Sequence, residues 1–219
     1  MAESERARLA YAAVEAFAKR DWASAHAHAH ALVRRWPDDP NANQVLGLLA
    51  LERGDSAAAR AHLERADAAA PNQAPILNSL GVACRRLGDT AAARAALARA
   101  GAFGLADACR NLGSLEESEA RIDAAMEAYQ RALRLAPKDA AAHGALARLY
   151  ESRHDVAQAR AHADRALALD AMQAKARIAL ARLHMRERER GGRGGVEIPL
   201  THVQTRGRTA RLGLHRVQR

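Results

Sequence analysis

Residues 112–137 read LGSLEESEARIDAAMEAYQRALRLAP. Apolar and small residues recur at helical spacing on both sides of a turn near Ala120–Asp123, which predicts two helices packed face to face. Glycine or alanine at a helix crossing lets two backbones approach, and alanine does so without the helix penalty of glycine, about 1 kcal/mol. The positions that need a small side chain, a packing contact or a helix end hold Leu112, Gly113, Ala125, Tyr129, Ala132 and Pro137. The stretch therefore predicts a helical hairpin.

The same pattern recurs along the chain. The small residue at the helix crossing, called here the crossing residue, occurs at Ala13, Gly47, Gly81, Gly113, Ala147 and Ala181. Successive intervals are 34, 34, 32, 34 and 34 residues. One hairpin cannot bury its apolar stripe alone, but stacked hairpins share a continuous core. The periodicity therefore predicts a solenoid.

The repeated unit resembles the tetratricopeptide repeat, whose 34-residue pattern is W-x₂-L-G-x₂-Y, then A-x₃-F, then P. Leu112-Gly113, Ala125-x₃-Tyr129 and Pro137 match this pattern, while Glu116 replaces its first aromatic residue. The resemblance covers residues 4–186 and is to the alanine- and arginine-rich arrays of bacterial proteins. It implies an all-α, right-handed α-solenoid of about five helix-turn-helix repeats with a C-terminal capping helix and a basic tail. The expected repeats lie near residues 6–39, 40–73, 74–105, 106–139 and 140–173, the lone helix at 174–189, and a disordered Gly/Arg-rich tail at 190–219.

Turn residues mark the helix boundaries within the repeats. Gly54-Asp55, Gly88-Asp89 and His154-Asp155 are each expected to form the turn between two helices, with the aspartate capping the second one. Pro37, Pro71 and Pro137 are expected to end helices, because proline lacks an N–H and clashes with the preceding turn.

Composition narrows the class of protein. Hydrophobic residues make up 49% of the chain and aromatic residues only 3%, which fits alanine and leucine filling a closely packed helical core. No stretch approaches the roughly 18 apolar residues of a membrane span, and the charged start MAESERARLAYAA lacks a signal-peptide core. We therefore expect a soluble, cytoplasmic protein. Residues 186–219 hold nine arginines and three glutamates, so the tail carries most of the net charge of +9.

The sequence lacks the motifs of the common catalytic sites. There is no G-x-x-x-x-G-K-[ST] phosphate loop and no G-x-S-x-G elbow, and the GGRGG segment does not lie between a strand and a helix. His26 and His30 share a helix face, but no HExxH motif or acidic third ligand accompanies them. We expect a protein that is not an enzyme and needs no cofactor and no metal.

The family resemblance implies a binding function instead. First helices of successive repeats line the concave side and commonly hold an extended peptide or a partner helix. Amides can bond a peptide backbone and arginines can pair with carboxylates, so an acidic partner or a free C-terminal carboxylate is expected. The helical register places these residues on that side: Asn41, Gln44, Asn78, Arg85, Arg110, Ser114, Glu117, Arg148, Glu151, Lys175 and Arg182.

Three functions are consistent with the sequence. The first is a scaffold or adaptor that binds a protein or peptide partner. The second is the recruiting arm of a larger bacterial enzyme, because similar arrays precede sulfotransferase or glycosyltransferase domains. The third is contact with nucleic acid through the basic tail, although residues 187–219 contain no aromatic residue to stack on bases.

Overall fold

The computed structural model describes residues 2–193 of the chain, and these residues form eleven α-helices without a strand. The predicted all-α fold is thus confirmed, whereas residues 194–219 of the predicted tail lie outside the described residues. The helices are α1 (Ala2–Ala18), α2 (Trp22–Arg35), α3 (Pro40–Glu52), α4 (Ser56–Ala69), α5 (Ala74–Arg86), α6 (Thr90–Ala102), α7 (Ala106–Ser118), α8 (Ile122–Leu135), α9 (Ala140–Ser152), α10 (Val156–Leu169) and α11 (Ala174–Arg193).

The helices pack in consecutive pairs: α1 with α2, α3 with α4, α5 with α6, α7 with α8 and α9 with α10. Each second helix also packs on the first helix of the next pair, so neighbouring pairs bury each other's apolar sides. Most buried side chains are alanine and leucine, and the buried clusters follow one another from the α1–α3 layer to the α9–α11 layer. The result is an α-solenoid with a core shared along its length.

Most turns within the pairs have the predicted chemistry. Gly54 and Gly88 adopt φ values of +80° and +79°, and His154 holds the same left-handed conformation at +63°. The aspartate that follows each of them accepts a hydrogen bond from a backbone N–H three residues later. These caps satisfy amide groups that the first turn of a helix leaves without a partner.

The turn of the fourth pair is built differently. Ala120 takes the left-handed conformation with φ +57°, and Arg121 occupies the position at which other repeats have the capping aspartate. Nε of Arg121 lies 2.6 Å from a carboxylate oxygen of Glu116, whose other oxygen lies 2.8 Å from Nε of Arg94. Glu116, which replaces the aromatic residue of the repeat pattern, is buried between these two arginines and ties the turn to α6.

Crossing residues are either glycine or alanine, and the choice matches the size of the side chain packed against them. At Gly81 an added Cβ would lie 2.5 Å from Cγ of Leu97, and at Gly47 and Gly113 it would lie 2.6 Å and 2.8 Å from the residue sixteen positions later in the chain. In the two complete hairpins whose crossing residue is alanine, that later residue is alanine as well, and both members of each such pair are fully buried. The five pairs are Gly47–Leu63, Gly81–Leu97, Gly113–Tyr129, Ala13–Ala29 and Ala147–Ala163.

The last helix has no second helix packed on it among residues 2–193. It packs on α9 and α10 and leaves Ile178 and Met185 46% and 61% exposed. It continues to Arg193, beyond the end expected at residue 189, and includes the consecutive glycines Gly191 and Gly192.

Candidate functional site

First helices define one side of the solenoid. Helix α3 contacts both α1 and α5, α5 contacts α7, and α9 contacts α11, whereas the substantial contacts of second helices are all with first helices. The first helices therefore lie closer together, so this side is the inner side of the curve. We call it the inner face.

Four register positions of each first helix form the inner face: six and three residues before the crossing residue, and one and four residues after it. All eleven predicted residues occupy these positions. The face carries five basic side chains, Arg85, Arg110, Arg148, Lys175 and Arg182, against three carboxylates, Asp107, Glu117 and Glu151. Its charge is therefore positive, and all of it lies on the repeats from the third onward.

Four of the predicted residues come together around one cavity of about 260 Å³, which we call the basic cavity. Its lining is Arg85, Arg110, Asn111, Ser114, Tyr129, Ala141, Gln173 and Lys175. These residues come from α5, α7, α8, α9, the turn before α11, and α11 itself. Three cationic side chains from three different first helices thus converge on a single hollow.

Carboxylates compensate only part of this charge. Arg110 lies 2.6 Å from Asp107 and 3.0 Å from Asp139, while Nζ of Lys175 lies 3.8 Å from Glu117. The same Glu117 also accepts a 3.0 Å hydrogen bond from the hydroxyl of Tyr129. One glutamate therefore serves several donors at the edge of the cavity.

The pKa values of the lining groups follow from burial and charge. Burial raises the pKa of Tyr129 to about 12, so its hydroxyl keeps its proton and acts as a donor to the carboxylate. Burial, then the nearby positive charges of Arg148 and Arg110, lower the pKa of the Lys175 ammonium group. Burial also opposes the charge on Arg110, but Asp107 and Asp139 outweigh it and its pKa is raised. An anion in the cavity would relieve the repulsion at Lys175.

A second hollow, of about 260 Å³, lies between the second and third pairs. The predicted residues Asn41 and Gln44 line it together with Gln73, and the rest of its lining is Pro40, Ala70, Pro75 and Ile76. Between this hollow and the basic cavity, the side-chain amide of Asn111 donates a 2.9 Å hydrogen bond to Asn78. Amide groups therefore occupy this part of the inner face.

The remaining predicted residues form ion pairs between successive first helices. Arg148 pairs with Glu117, and Arg182 lies 3.4 Å from Glu151. Glu151 is only 1% exposed, beneath Arg182 and Arg186, and Nη1 of Arg186 is 2.9 Å from it. The surface above Glu151 is therefore formed by arginine side chains, and its own carboxylate is buried beneath them.

The sequence prediction missed three polar residues of the basic cavity: Asn111, Tyr129 and Gln173. Tyr129 was recognised only as a packing residue, but the close approach at Gly113 lets its ring cross α7 and bring the hydroxyl to Glu117. Gln173 precedes the last helix and contacts Gly144. Recognising both required the stacking of adjacent repeats, which the register of one helix does not contain.

Comparison with protein families agrees with this geometry. Tetratricopeptide repeat models match residues 11–75, 106–139 and 128–161, which together exceed half of the chain. The chain is a tetratricopeptide repeat protein. A search of curated proteins finds no significant match.

Solved structures share the fold of this tetratricopeptide repeat protein. PilF of Pseudomonas aeruginosa is 16% identical, with a TM-score of 0.77 over 86% of this chain and 87% of its own. MamA is 24% identical, with a TM-score of 0.65 over 74% of this chain and 96% of its own. YrrB, described as a tetratricopeptide repeat protein with an unusual peptide-binding site, is 18% identical, with a TM-score of 0.61 over 80% and 88%.

No helix within residues 2–193 is both long and apolar enough to cross a membrane.

Proposed function

We propose that this tetratricopeptide repeat protein is a non-catalytic interaction module that binds a segment of a partner protein along its inner face. The observation that carries the proposal is the basic cavity, in which side chains from three first helices converge with an excess of positive charge. A partner segment with an acidic side chain or a free C-terminal carboxylate fits this chemistry, because arginine pairs with carboxylates through directed, charge-assisted hydrogen bonds.

The inner face also offers groups for a peptide backbone. The amides of Asn41, Gln44 and Gln73 surround the second hollow, and amide groups can donate to and accept from a main chain. A peptide-binding site is named for the similarly folded YrrB, which supports this use of the fold. A micromolar complex corresponds to about −8 kcal/mol, an energy that a few buried anchors can supply.

The proposal is tested by selecting phage-displayed random peptides on the full-length protein and measuring the affinity of the enriched peptide by fluorescence anisotropy. We expect enrichment of acidic peptides and a weaker complex with Arg110→Ala, which removes a cation from the cavity. Arg65→Ala on α4 is the matched control, because Arg65 is an exposed arginine on a second helix. Unchanged affinity in a folded Arg110→Ala variant would argue against the inner face as the binding surface.

Arg148→Ala serves as a second variant with a different expected cost. Loss of the Arg148 guanidinium leaves Glu117 without one of its partners. We therefore expect a lower free energy of unfolding as well as a lower affinity for the peptide. Far-ultraviolet circular dichroism of each variant separates loss of the partner from loss of the fold.

A further inference from the structure

The inner face contains a regular set of ion pairs between repeats. In the fifth and sixth first helices, the residue after the crossing residue is an arginine, Arg148 and Arg182. Each pairs with a glutamate four residues after the crossing residue of the preceding repeat, Glu117 and Glu151. Two successive interfaces therefore use the same two register positions with the same polarity. We call this series the ion-pair ladder.

Within residues 2–193, the ion pair is absent one interface earlier. The position that holds a glutamate in the ladder holds Arg85 in the third repeat, and the position that holds an arginine holds Ser114 in the fourth. Arg85 donates a long hydrogen bond of 3.4 Å to the hydroxyl of Ser114. No carboxylate of the described part of the chain lies within 4.0 Å of a guanidinium nitrogen of Arg85. A cation thus stands where the next two interfaces have an anion, and it borders the basic cavity.

Toward the N-terminus the same two positions become apolar. Phe17, Leu48, Leu51 and Val82 occupy them in the first three repeats and are all partly exposed, and Val14 is 45% exposed. These five residues form what we call the apolar stripe. Partly exposed apolar side chains on the inner side of a solenoid lose contact with water when a ligand covers them. Arg85 stands at the boundary between the apolar stripe and the ladder.

We propose that the inner face selects a bipartite peptide segment whose acidic group pairs with Arg85 in the lining of the basic cavity and whose apolar side chains cover the apolar stripe. This inference rests on the proposed function and specifies its ligand. The ligand carboxylate takes the place of the glutamate that the ladder lacks at this interface, with Ser114, Lys175 and Arg110 around it. Charge complementarity fixes the acidic end of the segment, and the apolar stripe fixes the direction in which its apolar end extends.

Geometry gives the spacing of the two parts. Contacting helices lie roughly 8–10 Å apart, and an extended peptide advances about 3.3 Å per residue. The ligand therefore advances about three residues per repeat. Counted from Arg85 on α5, apolar side chains about three and six residues from the carboxylate would reach Leu48 or Leu51 on α3 and then Val14 or Phe17 on α1.

The probe is a fluorescein-labelled decapeptide with leucines three and six residues from a single glutamate, compared with its glutamine counterpart. We expect the glutamine peptide to bind the wild-type protein about 10- to 100-fold more weakly, the range of a hydrogen-bonded charge pair. The difference between the two peptides should be several-fold smaller in Arg85→Ala, because the cation that pairs with the carboxylate is gone and only Lys175 and Arg110 remain near it. Arg65→Ala should retain the wild-type difference.

A second variant completes the ladder instead of removing a charge. Arg85→Glu combined with Ser114→Arg recreates the polarity of the next two interfaces, so the protein should remain folded with at least wild-type stability while probe binding is lost. Leu48→Ala, on α3 and away from the charged groups of the cavity, should weaken both peptides by a similar factor through the apolar end.

The outcomes separate this inference from the proposed function. A probe that binds but distinguishes glutamate from glutamine equally well in the wild type and in Arg85→Ala overturns the role of Arg85. Failure of the probe to bind at millimolar concentration overturns the bipartite ligand. In both cases the proposed function stands if peptides from the library lose affinity in Arg110→Ala and falls if they do not.

Discussion

At the Gly81 crossing, we expect the effect of Gly81→Ala on the free energy of unfolding to change sign with the residue at position 97. A methyl group added at residue 81 would lie 2.5 Å from Cγ and 2.8 Å from Cδ2 of Leu97, and 3.3 Å from the carbonyl oxygen of Ala93. Cγ is the branch point of the leucine, so rotation about the end of the side chain cannot relieve the overlap. Overpacking of this kind costs about 1–3 kcal/mol, while alanine gains about 1 kcal/mol over glycine as a helix former. We expect Gly81→Ala to lower the free energy of unfolding by about 1 kcal/mol.

The same substitution should stabilise the protein when Leu97 is alanine. Leu97→Ala alone removes a fully buried side chain and should cost about 2–5 kcal/mol, including the cavity it leaves. In that background the new methyl group meets no leucine, fills part of the cavity and keeps its helix advantage. Gly81→Ala should then raise the free energy of unfolding by about 1 kcal/mol. The native, fully buried Ala147–Ala163 pair shows that two alanines pack at such a crossing. The coupling between the two sites is then about −2 kcal/mol.

The measurement is a double-mutant cycle by urea denaturation, followed by circular dichroism at 222 nm. Repeat proteins can unfold through partly folded arrays, so the comparison requires equal denaturant slopes in the four proteins. Ala147→Gly is the control, because it loses helix propensity without relieving any overlap and should simply destabilise. If Gly81→Ala has the same sign in both backgrounds, the steric explanation of the crossing is wrong.

Two further predictions concern the turns and the histidines. Ala120→Gly should raise the free energy of unfolding by about 0.5–1 kcal/mol, because Ala120 holds a left-handed conformation that glycine adopts without strain; a denaturation midpoint at or below wild type would contradict this. Stability should also fall as the pH drops below about 6.5, because burial and then the neighbouring His143 lower the pKa of His162, so the unfolded chain takes up the proton first. The free energy of unfolding at pH 7.5 and 5.5 measures this dependence, and it should be smaller in His162→Gln; an unchanged dependence would show that His162 is not its source.

The fold could be predicted from the sequence because the residues that determine it are close together in the chain and recur in each repeat. The interval of the crossing residues predicted the helix pairs, and the Gly-Asp turns predicted where the second helices begin. The fourth turn was harder to interpret. It lacks both glycine and aspartate, and the contact that replaces them joins Arg121 to Glu116 and, through it, to Arg94 of the preceding pair.

The candidate site was harder to predict from the sequence because the environment of its residues depends on contacts between repeats. Helical register placed Arg85, Arg148 and Glu151 on one face without distinguishing their environments. Only the stacking shows that Arg148 is paired, that Glu151 is buried beneath two arginines and that Arg85 has no carboxylate within 4.0 Å among residues 2–193. A partner at a distance of about 30 residues in sequence cannot be assigned from the pattern of one repeat.

The two classes of helix crossing also constrain how such an array can evolve. A crossing residue and the side chain it accommodates lie sixteen residues apart on the two helices of one hairpin. A gene duplication or recombination event that carries a complete hairpin therefore preserves the match. A breakpoint within the turn could join a glycine-bearing helix to an alanine-bearing one and leave a void, or bring Ala147 against a leucine and create a clash. The hairpin, rather than the single helix, is consequently the smallest piece of this chain that can be copied, lost or exchanged without repacking its interior.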